Sequence, residues 1–453
     1  MVNEELKPKK IKLFQTIRNF PKFLHNPAIY FKKLLDQNDG LVEIQMPKGQ
    51  LSVTSRPDII KYILQQNHKN YIKPTFLADK LKAQIGNGLL TSEGEFWLKQ
   101  RRAIQPGFHK KRLDGISKVM VGEINQYMDN VFDAYADSGE AIDLANEMMH
   151  LAFKIVSKSL LGGTVNDKDL DSFNEIISNG QQFIVNQIRK PFLKPWYKIN
   201  GAYRKNRKDK KQGDALIIDI IKQRKASNER HDDLLDLLLE TKYEDGSGMT
   251  NQQLLDEAII LYVAGHETSG ISLSWTWYLI ATHPEIEEKL LHSVTNSIGT
   301  TDPSFESLRS LGYSLQVVEE SLRLYPPAWA VSRAALENDT FEGFNINKNQ
   351  EILCLIYGVH HSPVYWNDPE KFDPERFTTE NKKQQTPFSF MPFGGGPRLC
   401  IGNSFALMEM QLVLAMMIKR YKIEVVPDQE IDFNPLITLR PRNGIKVKVH
   451  KRA

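Results

Sequence analysis

A cysteine stands where a glycine-rich run meets a helical one: Phe393-Gly394-Gly395-Gly396-Pro397-Arg398-Leu399-Cys400-Ile401-Gly402, then Asn403-Ser404-Phe405-Ala406-Leu407-Met408-Glu409. A thiol just ahead of a helix N-terminus meets the positive end of the macrodipole and unpaired backbone N–H groups, both of which favour thiolate. Thiolate sulfur is a ligand that pushes electron density onto iron. Glycines at 394, 395, 396 and 402 let backbone pass close to a flat ligand and turn N–H groups toward the sulfur, where a Cβ would clash. Arg398 adds a cation two residues before the sulfur. The plainer reading is a glycine-rich turn around a buried cysteine.

Three further constellations carry chemistry. In Ala264-Gly265-His266-Glu267-Thr268-Ser269, Gly265 weakens a helix locally and the Thr268 hydroxyl can compete for a backbone carbonyl, so a groove is expected to open there. Glu267 and Thr268 form an acid–alcohol pair able to relay protons; the plain alternative is packing. Glu320-Ser321-Leu322-Arg323 places opposite charges at i and i+3, which on a surface is worth only about 0.2–0.5 kcal/mol. Trp97 and Arg101, at i and i+4, put an indole N–H and a guanidinium on one side of a helix.

These residues need a helical scaffold. Thr250 is a fair N-cap for a helix over Asn251–Thr282, long enough at 1.5 Å per residue to cross a domain. Amphipathic stretches are expected around 115–135, 143–160, 169–188 and 214–240. Val42-Glu43-Ile44-Gln45 and Leu51-Ser52-Val53-Thr54 alternate around Pro47-Lys48-Gly49 and predict a β-hairpin. The alternating tail from Ile431 to Val449 predicts short closing strands.

The 453 residues are 41% hydrophobic and 25% charged, ordinary globular values that permit one large core. With a net charge of +4 and no nucleic-acid reader motif, no nucleic-acid partner is expected. The basic run Arg204–Lys211 is expected to be a solvated helix face, with membrane-surface contact as the sharper alternative. Two cysteines argue against a disulfide framework; Cys354, in Ile352-Leu353-Cys354-Leu355-Ile356, is expected to be an inert strand residue. No signal-like or membrane-length apolar run is found, so the expectation is a cytoplasmic protein without a transmembrane anchor.

The segment from Phe393 to Gly402 resembles the haem-binding pattern Phe-x-x-Gly-x-Arg-x-Cys-x-Gly of the cytochrome P-450 superfamily, and the chain looks like its soluble, bacterial kind. Ala264–Thr268 resembles that family's oxygen-activation motif, Glu320–Arg323 its Glu-x-x-Arg helix, Asp373-Pro374-Glu375-Arg376-Phe377 its Pro-Glu-Arg-Phe element, and Trp97–Arg101 its Trp-x-x-x-Arg helix. His360-His361-Ser362-Pro363 departs from the family's frequent His-Arg-Asp-Pro. The resemblance implies a mainly α fold: one domain over 1–453, with haem between the long central helix and the Cys-loop helix. Its β-rich parts would lie at about 40–56 and 328–449, and its helical parts at about 57–325 and 403–421.

The same resemblance implies one haem b per chain, ligated by Cys400. Phe393, Gly394, Gly402 and Ala264 would lie against it, and Arg398, Trp97, Arg101 and Arg333 would serve its propionates. Thr268 and Glu267 would be catalytic, relaying protons during dioxygen activation; Glu320, Arg323 and Arg376 would form a structural lock. The implied reaction inserts one atom of O2 into a C–H bond, giving hydroxylation or dealkylation, with a peroxygenase, an isomerising enzyme or a haem-based sensor as the other classes. Trp329, Val331 and Ile437, with loops near 71–90, would line the pocket. The implied substrate is a small organic molecule, foremost a lipophilic one (fatty acid, terpenoid or carotenoid) and otherwise a methylated sugar or aromatic ether. Little chain follows Cys400, so electrons are expected from a separate ferredoxin or flavodoxin with an NAD(P)H-dependent reductase, docking near Lys99, Arg102, Lys110, Lys111 and Arg112. The protein is expected to be a monomer.

Overall fold

A computed structural model of the chain describes residues 6–46, 49–162, 167–189, 193–227, 229–231 and 233–452. Two compact units emerge. One comprises Met1–Thr75, Leu315–Asn403 and Glu430–Asn443; the other comprises Phe76–Ser314, Ser404–Gln429 and Gly444–Ala453.

The first unit is built on a six-stranded sheet. Its strands run in the order Lys9–Ile11, Leu41–Gln45, Gln50–Thr54, Glu351–Cys354, Val331–Ala335 and Tyr71–Ile72. The expected hairpin is present, with Val42 opposite Val53 and Ile44 opposite Leu51; Pro47 and Lys48 of its turn lie outside the described residues. Strand Glu351–Cys354 joins it in parallel, placing Cys354 beside Thr54. The β-branched residues Ile352, Ile346 and Ile356 pack with Phe344 and Ile59 into an apolar core, which suits their stiff side chains. Cys354 is fully buried there, and burial pushes its thiol up to about 12.

The second unit is helical and centred on the predicted Asn251–Thr282. Its start is a reciprocal capping box: Thr250 Oγ1 accepts from Gln253 N (3.2 Å) and Gln253 Oε1 accepts from Thr250 N (2.8 Å). Pro284 does not stop the chain but occupies the first turn of the next helix, Pro284–Ile298, where its missing N–H costs nothing.

Gly265 and Gly270 are packing residues. A Cβ on Gly265 would lie 3.1 Å from Val156, and one on Gly270 would lie 2.8 Å from the Met149 backbone, so helix Leu144–Leu161 packs closely against the long helix. The opening expected at Gly265 is therefore absent, and the helix runs unbroken. Hydroxyls on it form a ladder in which Thr268 donates to Ala264 O, Ser272 to Thr268 O and Thr276 to Ser272 O (2.7, 2.8 and 2.7 Å).

The stretch expected as one helix over 214–240 is two, Ala202–Ser227 and Leu234–Glu240. Asp233 caps the second by accepting from Asp236 N, while buried Arg224 binds both carboxylates (2.8 and 2.6 Å). One buried cation meets two buried carboxylates there, and the chain turns to bring them together. The basic run lies on Ala202–Ser227 as a largely solvated face with the pairs Lys205–Asp209 and Lys210–Asp214. The closing strands are short, as expected; Lys446–Lys451 pairs with Tyr421–Val425 and Ile142–Asp143 in the helical unit.

Candidate active site

In the first unit the chain before Cys400 folds back on itself. Cys400 N–H donates to Phe393 O and Gly394 N–H to Met391 O, both at 3.0 Å, with a turn at Gly396–Arg398 between them. Cys400 and Leu399 are exposed, Arg398, Phe393 and Gly402 half-buried. The three glycines have different reasons to be glycine. A Cβ on Gly396 would lie 1.9 Å from Leu64 O and one on Gly395 would lie 2.5 Å from the Phe388 ring. Both therefore serve packing against the protein, contrary to the expectation that they clear space for a ligand. Gly394 alone, at φ +74°, has open space where its Cβ would be.

Helix Gly312–Leu324 presents the lock. Glu320 is fully buried and accepts from Arg323 Nε (2.7 Å) and Nη2 (2.8 Å), from Asp373 N (2.9 Å) and from Arg376 Nε (3.3 Å). Arg323 also donates to the carbonyls of His360, Pro369 and Lys371 and lies over the Trp366 ring. Burial pushes the Glu320 pKa up, opposed by the Arg323 hydrogen bonds and charge, the Asp373 amide and Arg376.

His360, which sequence reasoning noted only as part of a departing tetrapeptide, ties this lock to the cysteine loop. Its Nε2 accepts from Met391 N (3.0 Å), so Nδ1 carries the proton and faces Arg323 O (3.1 Å). Burial, and then the Arg323 charge, push its pKa far down and keep it neutral. His361, at the position where the family's frequent pattern has arginine, bridges Leu324 O (2.8 Å) and Glu370 (3.0 Å).

In the second unit the long helix is buried for most of its length, yet Ala264 is exposed and Leu261, Gly265 and Thr268 are half-buried. They share one face at helical spacing. Glu267 points elsewhere: it is buried and accepts from Gln181 Nε2 at 2.6 Å. Gln181 was missed in the sequence; its signal was a polar residue on the apolar stripe of helix Asp167–Arg189, between Ile177 and Ile184. His266 is packed among Tyr262 and Phe153 and bonds Tyr262 O.

A sequence profile of the cytochrome P450 family matches residues 7–449. The chain belongs to the cytochrome P450 family. Among its curated relatives, Protein LUTEIN DEFICIENT 5, chloroplastic, of Arabidopsis thaliana is 31% identical over 91% of this chain and 72% of that protein. Cyclooctat-9-en-7-ol 5-monooxygenase of Streptomyces melanosporofaciens is 27% identical, covering 90% and 88%. The fold matches the crystal structure of the cytochrome P450DA heme domain with a TM-score of 0.86 at 22% identity, over 95% of each chain. The protein is thus a cytochrome P450 monooxygenase, of a family that uses haem, redox partners and small organic substrates.

The residues of this P450 fit that group. Each unit leaves uncovered what a flat ligand would cover: in one an exposed thiol beside the open Gly394, in the other the small-residue stripe at Ala264. Arg398 and Arg333 belong to the first unit, where Arg333 Nη1 donates to Ser332 O on strand Val331–Ala335. Trp97, buried, and Arg101, half-buried, lie on helix Gly94–Ile104 of the second.

Of the expected pocket residues, the first unit brings two segments together: Trp329 Nε1 donates to Leu436 O (3.1 Å) and Leu439 N to Pro327 O (3.0 Å), leaving Ile437 exposed and Val331 half-buried. The loops expected over 71–90 are instead strand Tyr71–Ile72 and helix Thr75–Ile85 before a turn held by acids, with Asn87 N donating to Asp256 and Leu89 N to Glu257. Within the expected basic patch, Lys99 pairs with Asp245, Arg102 with Glu244 and Arg112 with Glu240, and Lys110 and Lys111 are exposed. Among the described residues no helix is long and apolar enough to cross a membrane.

Proposed function

We propose that Cys400 ligates one haem b and that this P450 uses O2 to hydroxylate a lipophilic organic substrate, or to dealkylate it where the carbon adjoins an ether oxygen. The observation that carries the reading is the uncovered stripe on the long helix, with a hydroxyl and a buried acid next to each other in sequence. Haem-thiolate, when bound, supplies the oxygen-activating chemistry. Arg398, Arg333, Trp97 and Arg101 would hold its propionates, and Phe393, Gly394, Gly402 and Ala264 would line its ring.

Thr268 holds a proton at Oγ1, which rests on Ala264 O and is free to rotate toward a water or substrate oxygen. Glu267, whose carboxylate is held by the Gln181 amide, would be the acid that re-supplies that proton. Glu320, Arg323 and Arg376 keep the cysteine loop in place and take no part in the reaction.

A terpenoid or carotenoid substrate is supported by relatives whose names carry such compounds, among them carotene epsilon-monooxygenase, chloroplastic, of Arabidopsis thaliana, 29% identical over 88% of this chain. Electrons come from a ferredoxin or flavodoxin served by an NAD(P)H-dependent reductase, in the cytoplasm, to a monomeric enzyme. The test is an optical titration of the purified haem protein with terpenoids, carotenoids, fatty acids and small aryl ethers, followed by product analysis. Soret shifts and oxidised products confined to the small ethers would overturn the lipophilic assignment, and absence of the red-shifted carbon monoxide band, or its survival in Cys400→His, would overturn the thiolate.

A further inference from the structure

Helix Leu13–His25 is amphipathic and sits the wrong way round. Leu13, Phe14, Ile17, Phe20 and Leu24 share one face, and Phe14, Ile17 and Phe20 are 62, 64 and 44% exposed. The helix has no buried residue at all. The helix is covered instead along Gln15, Thr16, Asn19 and Phe23, which are half-buried, Thr16 Oγ1 donating to Gln45 O at the end of a sheet strand (3.3 Å) and Asn19 Nδ2 to Gln15 O (3.0 Å). A helix with one apolar stripe ordinarily turns it into the core. Here the first unit anchors the helix through Phe23, whose ring meets Tyr30 and Phe31, half-covers Leu13 and Leu24 at the ends of the stripe, and leaves Phe14, Ile17 and Phe20 outward.

The charge around this face is one-sided. From Leu6 to Leu35 the chain carries Lys7, Lys9, Lys10, Lys12, Arg18, Lys22, Lys32 and Lys33 and not one Asp or Glu, with Glu4 and Glu5 before it and Asp36 after it. Since the whole chain is only +4, the remainder is net negative. Lys9, Lys12, Arg18 and Lys22 are exposed; Lys10 makes a long 3.9 Å contact with Glu43 and Lys32 pairs with Asp36 at 2.8 Å. A second copy of the chain would bring an equally cationic face, so like charges oppose self-association through it.

We propose that this helix is a peripheral docking face for an anionic lipid surface, with Phe14, Ile17 and Phe20 entering the headgroup region and the surrounding lysines and Arg18 meeting lipid phosphates. The combination of an exposed apolar stripe, flanking cations and a length far short of a span is that of a helix lying in the plane of the interface. The inference stands apart from the substrate assignment; it holds whether or not the substrate is lipophilic.

The test is co-sedimentation of the full-length haem protein with phosphatidylcholine vesicles, with and without phosphatidylglycerol. Each lysine near the surface adds to the attraction, so anionic vesicles should bind at least about tenfold more protein, an excess that high salt removes. The combined Phe14→Ser, Ile17→Ser and Phe20→Ser variant should lose binding to both. Lys9→Glu, Lys10→Glu and Lys12→Glu should lose only the anionic excess. Haem spectrum and melting temperature should match the parent in both variants, because the altered side chains are exposed. No binding to anionic vesicles, equal binding to both vesicle types, or unchanged binding by the serine variant would each overturn the proposal. A concentration-dependent dimer that the serine variant abolishes would assign the face to a second copy instead.

Discussion

Glu320, in the sheet-containing unit, accepts hydrogen bonds from Arg323, the Asp373 amide and Arg376, whereas Glu409, equally inaccessible in the helical unit, has no hydrogen-bond partner at either carboxyl oxygen among the described residues. Glu257 on the long helix resembles Glu409 more than Glu320, since it is buried and met by the Leu89 amide. Burying a carboxylate with permanent cations fixes its charge and stiffens the surroundings, while burying one among neutral groups leaves it a proton to hold or lose. The first arrangement suits a scaffold behind the proposed sulfur ligand; the second suits the helix on which a proton relay is proposed.

The strongest way to break that comparison is Arg323→Ala. It strips Glu320 of its bidentate partner and leaves three backbone carbonyls without a donor, so the variant should lose about 3–5 kcal/mol of stability and most of its haem. A melting temperature and haem content like those of the parent would show that the lock is ornamental.

Thr268→Ala should leave folding and substrate binding almost unchanged, since the hydroxyl only shares a helix carbonyl already bonded within the helix. Reductant should still be consumed, but with a larger share appearing as hydrogen peroxide and less as product, and added peroxide should restore part of the product. Unchanged coupling would mean that the uncovered stripe is not where protons pass.

Smaller, and visible only against pH, is the effect of the neutral-lined acids. Burial pushes Glu257 up to about 7, partly opposed by the Leu89 amide and aided by Asp256; burial pushes Glu409 up to about 8, opposed by the neighbouring Ser269 hydroxyl, which makes no full hydrogen bond to it. Unfolded glutamates titrate near 4.3, so the folded protein binds more protons between there and about pH 8. Stability should fall as pH rises through that window and then level off. Glu409→Gln should flatten the fall, as read from chemical denaturation at several pH values; an unaltered slope would place its proton elsewhere. Smallest of all, Lys205→Ala, which removes an i,i+4 pair on the solvated basic face, should cost no more than about 0.5 kcal/mol.

The long helix was legible because Thr250 and His283-Pro284 are local signals, and the lock's three charged members were legible through resemblance. What escaped the sequence was decided by distant partners. The Glu320 carboxyl is completed by a backbone amide at Asp373, which any residue could supply. Gly395 and Gly396 looked like clearance for a ligand, but their neighbours are Phe388 and Leu64, more than three hundred positions apart in the second case. Gln181 reads as surface polarity until Glu267 stands opposite it. The break between Ser227 and Leu234 follows from Arg224 meeting Asp233 and Asp236, a charge match invisible to periodicity.

His360 has a consequence for how the molecule opens. With one ring nitrogen committed to the Arg323 carbonyl and the other to the Met391 amide, the ring belongs to two segments at once, and neither can swing out without exposing a desolvated partner in the other. The amides of Met391 and Asp373, bonded to His360 and Glu320 respectively, should therefore exchange with solvent deuterium through one shared opening event, with the same free energy and the same denaturant dependence, as a single cooperative unit.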